Sequence, residues 1–195
     1  MFLTLILSSL LTFVELNCEN LFDTRHDSLK NDVEFLPEGS YKWTPYRYWT
    51  KLNHLGQEIV AQSNSIPDFV AMCEVENDSV MFDLTKRSLL RNAGYEYVMT
   101  SSPDERGIDV ALLYQPASFA LLHSHSIRIK PLPDTRPTRD ILYASGLIIT
   151  GDTLHVFVVH APSRRGGEQV SRPYRLQVAS QLAEAVDSVY AISRD

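Results

Sequence analysis

The order of strand-like and helix-like runs limits the fold of this chain more than any other feature. Strand-like runs alternate with two helical segments in the first half, and five strand-like runs then follow in series. That order points to a mixed α/β (α+β) fold rather than a strict βαβα array. The first run, residues 10–17, is apolar and ends near Asn17. Residues 18–45 are polar, contain Asp23, Asp27, Pro37, Gly39 and Pro45, and read as a long loop of the kind that is usually functional. Residues 46–63 carry Trp49, Leu52, Leu55, Ile59 and Val60 at helical spacing. Residues 68–74 read as a short strand, and residues 80–92 as a second helix closed by Gly94. Residues 95–100, 108–114, 119–129, 141–150 and 154–160 are strand-like, with Gly151-Asp152 as a hairpin turn between the last two. Residues 168–190 form a final helix, with Leu176, Val178, Ala179, Leu182, Ala183 and Val186 expected to face inward.

A length of 195 residues suits one domain, and 44% apolar residues suffice for a buried core. A net charge of −6 argues against a protein that grips nucleic acid by bulk positive charge. It leaves phosphate chemistry open, because a bound cation can bridge an acidic pocket to an anionic substrate. Cys18 and Cys73 read as small buried thiols, and no Cys/His spacing suggests zinc. Residues 1–14 are too short to span a bilayer, so no stable membrane span is expected. No Lys or Arg precedes this stretch and no A-x-A site follows it. Residues 1–9 are read as a remnant or short form of an export signal, which favours an exported or periplasmic location over a cytoplasmic one, and residues 10–195 as the folded unit.

Three strand-like runs are apolar until a polar last residue. Asn17 shares a face with Leu11 and Phe13, Glu74 follows Val70 and Met72 at period two, and His160 follows Leu154, Val156 and Val158. A sheet rim is where such groups converge on a ligand while the backbone holds them rigid. Each also has a plainer reading: Asn17 as a turn cap, Glu74 as a solvated strand end, His160 as a structural histidine. The segment Ala161-Pro-Ser-Arg-Arg-Gly-Gly167 joins a strand to a helix and offers Arg164 and Arg165, backbone N–H groups and a helix N-terminus to an anion. It reads equally as a basic surface loop.

Five segments, taken in order, resemble the endonuclease/exonuclease/phosphatase family of deoxyribonuclease I-like phosphoesterases. They are Glu15-Leu-Asn-Cys-Glu-Asn-Leu-Phe-Asp23, Val70-Ala-Met-Cys-Glu-Val-Glu-Asn77, Arg106-Gly-Ile-Asp-Val-Ala-Leu-Leu-Tyr114, Thr138-Arg-Asp-Ile-Leu142 and Val158-Val-His-Ala-Pro-Ser-Arg-Arg-Gly-Gly167. The resemblance implies a four-layer α/β/β/α sandwich, here its N-terminal part and incomplete at the C-terminus. It implies Glu74 as the principal metal carboxylate, with Asn17 beside the metal and Glu19 as a further candidate. It implies His160 as an acid/base or phosphate-contacting group, with Asn17 and Asp109 as further candidates for the chemistry. Arg106 and Arg139 are implied on the substrate side, with Arg164 and Arg165 also candidates there. The cofactor implied is Mg²⁺ or Mn²⁺, and the partner a phosphate-ester substrate, either nucleic acid or a small phosphodiester.

Two departures matter. Relatives often carry Asn-His-Trp-Pro where this chain has Val159-His-Ala-Pro162, so an aromatic surface is lost. The family's later Gly-Asp-x-Asn and Asp-His motifs have no counterpart here. The isolated chain is therefore expected to be inactive or nearly so, with an apolar sheet face available for association. The alternatives are a non-catalytic phosphate- or partner-binding module, or a half-domain completed by another chain.

Overall fold

The computed structural model describes residues 11–62, 65–133, 136–164 and 166–192. The expected export remnant and Arg165 lie outside them. Two sheets stack face to face. The first contains β1 (Phe13–Leu21), β2 (Phe69–Val75), β3 (Glu96–Met99) and β4 (Asp109–Tyr114) in the order β1-β2-β4-β3. Its β1 and β2 are parallel and its other pairs antiparallel. The second contains β5 (Phe119–Ile127), β6 (Ile141–Ile148) and β7 (Thr153–Val158), antiparallel and in chain order. The helices α1 (Pro45–Ala61) and α2 (Asp78–Phe82) cover the first sheet and α3 (Glu168–Ile192) the second, which makes the expected four layers.

Each layer follows from alternation along the strands. Val70 and Met72 of β2 and Ala111 and Leu113 of β4 pack under Leu52, Leu55 and Ile59 of α1. The intervening Phe69, Cys73, Val110 and Leu112 meet Phe119, Leu142, Ala144 and Val158 of the second sheet. Both faces of β2 and β4 are thus buried, and that is why they read as nearly continuous apolar runs. Both cysteines are free and buried, as expected. Thr44 caps α1 through the Arg47 N–H, with Pro45 at the first helical position, where its missing N–H costs nothing.

Three expectations are corrected. β1 does not stop at Asn17: it passes through a bulge and pairs again at Leu21 with Val75. Residues 80–92 are not one helix. After α2 the chain widens, so that the Ser88 N–H reaches Asp83 O at 2.8 Å, and it ends in a tight 3-10 turn, Leu89–Asn92. The Thr85 and Ser88 hydroxyls bond back to the carbonyls of Met81 and Leu84, which favours such a departure from regular winding. In α3, Leu176, Ala179 and Ala183 face solvent, while Val178 and Leu182 face the sheet. Apolar residues lie on more than one face of this helix, so spacing alone could not select the buried one.

β6 carries a glycine for a steric reason. A Cβ at Gly146 would lie 2.5 Å from Ala120 O and 2.6 Å from the Phe119 ring. Gly146→Ala is expected to cost about 1–3 kcal/mol through overpacking, seen as a lower denaturation midpoint; an unchanged midpoint would reject this account.

Asp68, just before β2, ties three elements together. Its carboxylate accepts from the Thr12 N–H at 2.8 Å, the Thr12 hydroxyl at 2.9 Å and the Ser118 hydroxyl. Burial pushes its pKa up, but these hydrogen bonds outweigh that and hold it below the usual carboxylate value. A depressed folded pKa stabilises above the unfolded value of roughly 3.9, and the contribution fades as pH falls through the folded value. Asp68→Asn should therefore cost roughly 1 kcal/mol at pH 7, the size of a solvent-screened hydrogen-bond cluster, and less as the pH is lowered below 4. Urea titrations of both proteins across that range would show a constant difference if the idea is wrong.

Candidate active site

The site lies at the sheet rim where β1, β2 and the segment after β7 meet. Asn17 and His160 arrive as alternation predicts, on the faces turned toward the opposite sheet: Leu11 precedes Asn17 there, and Leu154, Val156 and Val158 precede His160. Glu74 arrives differently. Val75, not Glu74, joins Val70 and Met72 in the helix-side core. The β2 register shifts between Cys73 and Val75, and Glu74 takes a left-handed conformation with φ 60°. This corrects the expectation that Glu74 shares the Val70 and Met72 face. The bulge turns its carboxylate out of that face, where it meets His160 from the other sheet. Glu19 (φ 50°) and Asn20 (φ 62°) in β1 are also left-handed, so three of the four such non-glycine residues among those described gather here.

The contacts are specific. His160 Nε2 lies 3.3 Å from Glu74 Oε1, and Asn17 Nδ2 donates to the same oxygen at 3.5 Å. The Asn20 N–H donates to Glu74 Oε2 at 2.9 Å. Asn17 Oδ1 accepts from the Glu19 N–H at 2.9 Å, so Asn17 both caps its turn and lines the cleft. Arg139 is nearly buried. Its guanidinium contacts Asp104 at 3.4 Å and donates to the carbonyls of His160 (3.3 Å) and Ala161 (3.4 Å). Arg106 donates to Asn20 Oδ1 at 3.3 Å. Asn17, Glu74, Arg106, Arg139, His160 and Tyr174 are among the walls of a cleft of about 490 Å³.

The electrostatics favour a neutral imidazole. Burial lowers the His160 pKa first, Arg139 lowers it further, and Glu74 opposes them. Burial likewise lowers the Arg139 pKa, opposed by Asp104. Nearby, burial pushes the Glu76 carboxyl up to about 8, although the Asp23 N–H donates to it at 2.7 Å.

Other candidates fall outside this cluster. Asp109 is buried, and its Oδ1 accepts from the Thr100 hydroxyl at 2.5 Å, the Ser102 N–H at 2.9 Å and the Ser102 hydroxyl. With that oxygen so engaged, Asp109 organises the turn before β4 and does not line the cleft. The Glu19 side chain is exposed and also absent from the cleft wall; its backbone carbonyl accepts from Lys51 Nζ at 2.7 Å. Arg164 is exposed and pairs with Glu168 at 3.3 Å.

The sequence profile of the endonuclease/exonuclease/phosphatase family matches residues 12–195. The chain belongs to that family. No curated protein sequence matches it. Solved structures share the fold. The human Nocturnin catalytic domain with bound sulfate is 18% identical with a TM-score of 0.59, covering 92% of this chain and 59% of its own. A mannosyl-6-phosphatase from Bacteroides thetaiotaomicron is 17% identical with a TM-score of 0.60, covering 92% and 60%. D. rerio TDP2 complexed with a single-strand DNA product is 17% identical with a TM-score of 0.55, covering 92% and 54%. The chain thus spans less than two thirds of these structures.

In this family member, sequence reasoning missed Asn20, Lys51, Asp104 and Tyr174. Asn20 left a signal, since asparagine tolerates the left-handed region. Lys51 and Asp104 left none, because each acts through a contact distant in sequence, with Glu19 and Arg139 respectively. Among the described residues, no helix is long and apolar enough to cross a membrane.

Proposed function

We propose that this protein hydrolyses phosphate esters with the help of a divalent cation, Mg²⁺ or Mn²⁺. The observation that carries the reading is the convergence of Glu74, Asn17 and His160, from two sheets, on one cleft bordered by Arg106 and Arg139. The donor set fits such a cation. Glu74 and the Asn17 amide offer hard oxygens, and Mg²⁺ is commonly held by one or two carboxylates, with water and substrate phosphate completing its shell. Once bound, the cation neutralises phosphate oxygens and the charge that develops during displacement.

The chain's own residues supply the remainder. The Asn20 N–H and the Asn17 amide fix the Glu74 carboxylate. His160, neutral near pH 7, can take a proton from the nucleophile and then pass it to the leaving oxygen. Arg139 grips the carbonyls of His160 and Ala161 and carries positive charge to the phosphate. The substrate proposed is a nucleic acid end or a small phosphodiester or phosphomonoester. The neighbouring structures bear this range in their names: a mannosyl-6-phosphatase and a DNA-product complex.

Turnover of bis-p-nitrophenyl phosphate and of plasmid DNA, with Mn²⁺ and with EDTA, tests the reading. Both the 195-residue chain and the longest version its gene encodes should be assayed. We expect EDTA-sensitive turnover in the longer version; inertness on both substrates together with no metal binding would reject the reading. A second reading, a phosphate-binding module without turnover, is favoured by one fact: among the described residues, Glu74 is the only carboxylate lining this cleft. A further segment, on this polypeptide or another, is proposed to complete the catalytic unit. Exposed apolar side chains such as Leu122, Leu147 and Ile149 of the second sheet and its hairpin offer it a contact.

A further inference from the structure

The candidate cleft does not end at His160. A second cleft of about 650 Å³ adjoins it, and the two share Arg106, Arg139, Pro162, Ser163, Val170 and Tyr174. Its lining divides by chemistry. Pro131, Pro137 and Pro162 with the Tyr174 ring make an apolar part, while Thr138 and the guanidinium groups of Arg106, Arg136 and Arg139, set against the carboxylates of Asp104 and Glu105, make a polar part that is cationic on balance. The polar part is incompletely satisfied: Thr138 Oγ1 and Arg139 Nε are buried with no hydrogen-bond partner. Buried donors of this kind call for an acceptor that the protein does not supply. The Tyr174 ring is half-buried and lines both clefts, and no hydrogen bond among the described residues engages its hydroxyl. Arg136 at the rim is largely exposed, with only a 3.5 Å contact to Glu105.

A slot with an aromatic, proline-lined side, unsatisfied donors and an exposed guanidinium in a single 3.5 Å ion pair with Glu105 fits a planar ring that carries an anion. We propose that the second cleft is the leaving-group side of the hydrolytic site. Tyr174 selects a leaving group built on a nucleobase-like ring, and Arg136 receives a second phosphate carried by that group. The substrate class is then a nucleoside bisphosphate. This rests on the phosphoesterase reading and adds to it a specificity residue and a substrate class.

Calorimetric titration with Mn²⁺ present tests it, using adenosine 3′,5′-bisphosphate, adenosine 5′-monophosphate and inorganic phosphate as probes. The full chain should bind the bisphosphate more tightly than the monophosphate, and the monophosphate more tightly than phosphate. Tyr174→Leu keeps apolar volume and removes the π face. It should weaken both nucleotides roughly ten-fold, the size of a lost base–aromatic stack, and leave phosphate unchanged. Tyr174→Phe should restore nucleotide binding. Arg136→Ala should bring the bisphosphate down to the monophosphate level. The proposal is overturned if the nucleotides bind no more tightly than phosphate, if Tyr174→Leu leaves them untouched, or if it weakens phosphate equally. If the wild-type chain binds no phosphate ligand and Glu74→Gln changes nothing, the hydrolytic reading itself has failed. If phosphate binds through Glu74 and only the nucleotide preference is missing, the failure belongs to the second cleft.

Discussion

Glu74→Gln should end the proposed metal-dependent hydrolysis while leaving the fold intact. The amide keeps the size of the side chain and can still accept from the Asn20 N–H, which now meets Oε2 at 2.9 Å. What it removes is the negative charge, from the only acidic side chain among the described residues of the cleft wall. A hard cation loses most of its reason to sit there. The loss should exceed that of His160→Ala, which is expected to lower kcat/KM by about 10²–10⁴-fold as a lost acid/base group. A second readout is independent of turnover. Glu74 raises the His160 pKa against burial and Arg139. Without that charge the imidazole should titrate at still lower pH, followed by NMR of its ring protons. Persistent EDTA-sensitive turnover in Glu74→Gln, with His160 unmoved, would place the chemistry elsewhere.

Phe69→Ala is expected to have the largest effect on stability. The ring is fully buried between the sheets, stacked on Phe13 at 4.5 Å and edge-on to Phe119 at 5.1 Å. Truncation removes apolar burial and leaves a cavity that flanking strands cannot close, a cost of about 3–5 kcal/mol. Against a typical total of about 5–15 kcal/mol, that endangers the domain at physiological temperature. The effect also reaches the site. Glu74 belongs to one sheet and His160 to the other, so their 3.3 Å approach depends on how closely the sheets pack. The milder Phe69→Leu should therefore lower activity while most molecules stay folded. Equal denaturation midpoints for Phe69→Ala and wild type would refute the packing account.

The layers were legible because alternation, turns and helical spacing are local. β2 and β4 announced themselves by apolar runs, and Gly151-Asp152 by its turn chemistry. The face of Glu74 was not legible. A bulge changes the period of a strand without leaving a mark in hydrophobicity, and here it falls between Cys73 and Val75. The buried side of α3 was hidden because Leu176, Ala179 and Ala183 make a second apolar stripe. Motif resemblance pointed to Asn17, His160 and Arg139, which the fold brings to one cleft, whereas Asp109 shows its limit. A residue inside a motif can serve the turn that presents the site and never reach the cleft.

The left-handed backbone at Glu19, Asn20 and Glu74 has a consequence for attempts to improve this protein. Non-glycine residues held in that region cost of order 1–3 kcal/mol each. A library selected for heat resistance alone should therefore collect glycine at these positions, because glycine removes the penalty. Winners with glycine at Glu74 would have lost the carboxylate that borders the cleft, and those with glycine at Asn20 the amide that holds Arg106, so on the proposed function the most robust clones would be the poorest catalysts. On the proposed function, durability and competence are set against each other at two neighbouring torsions, Asn20 and Glu74.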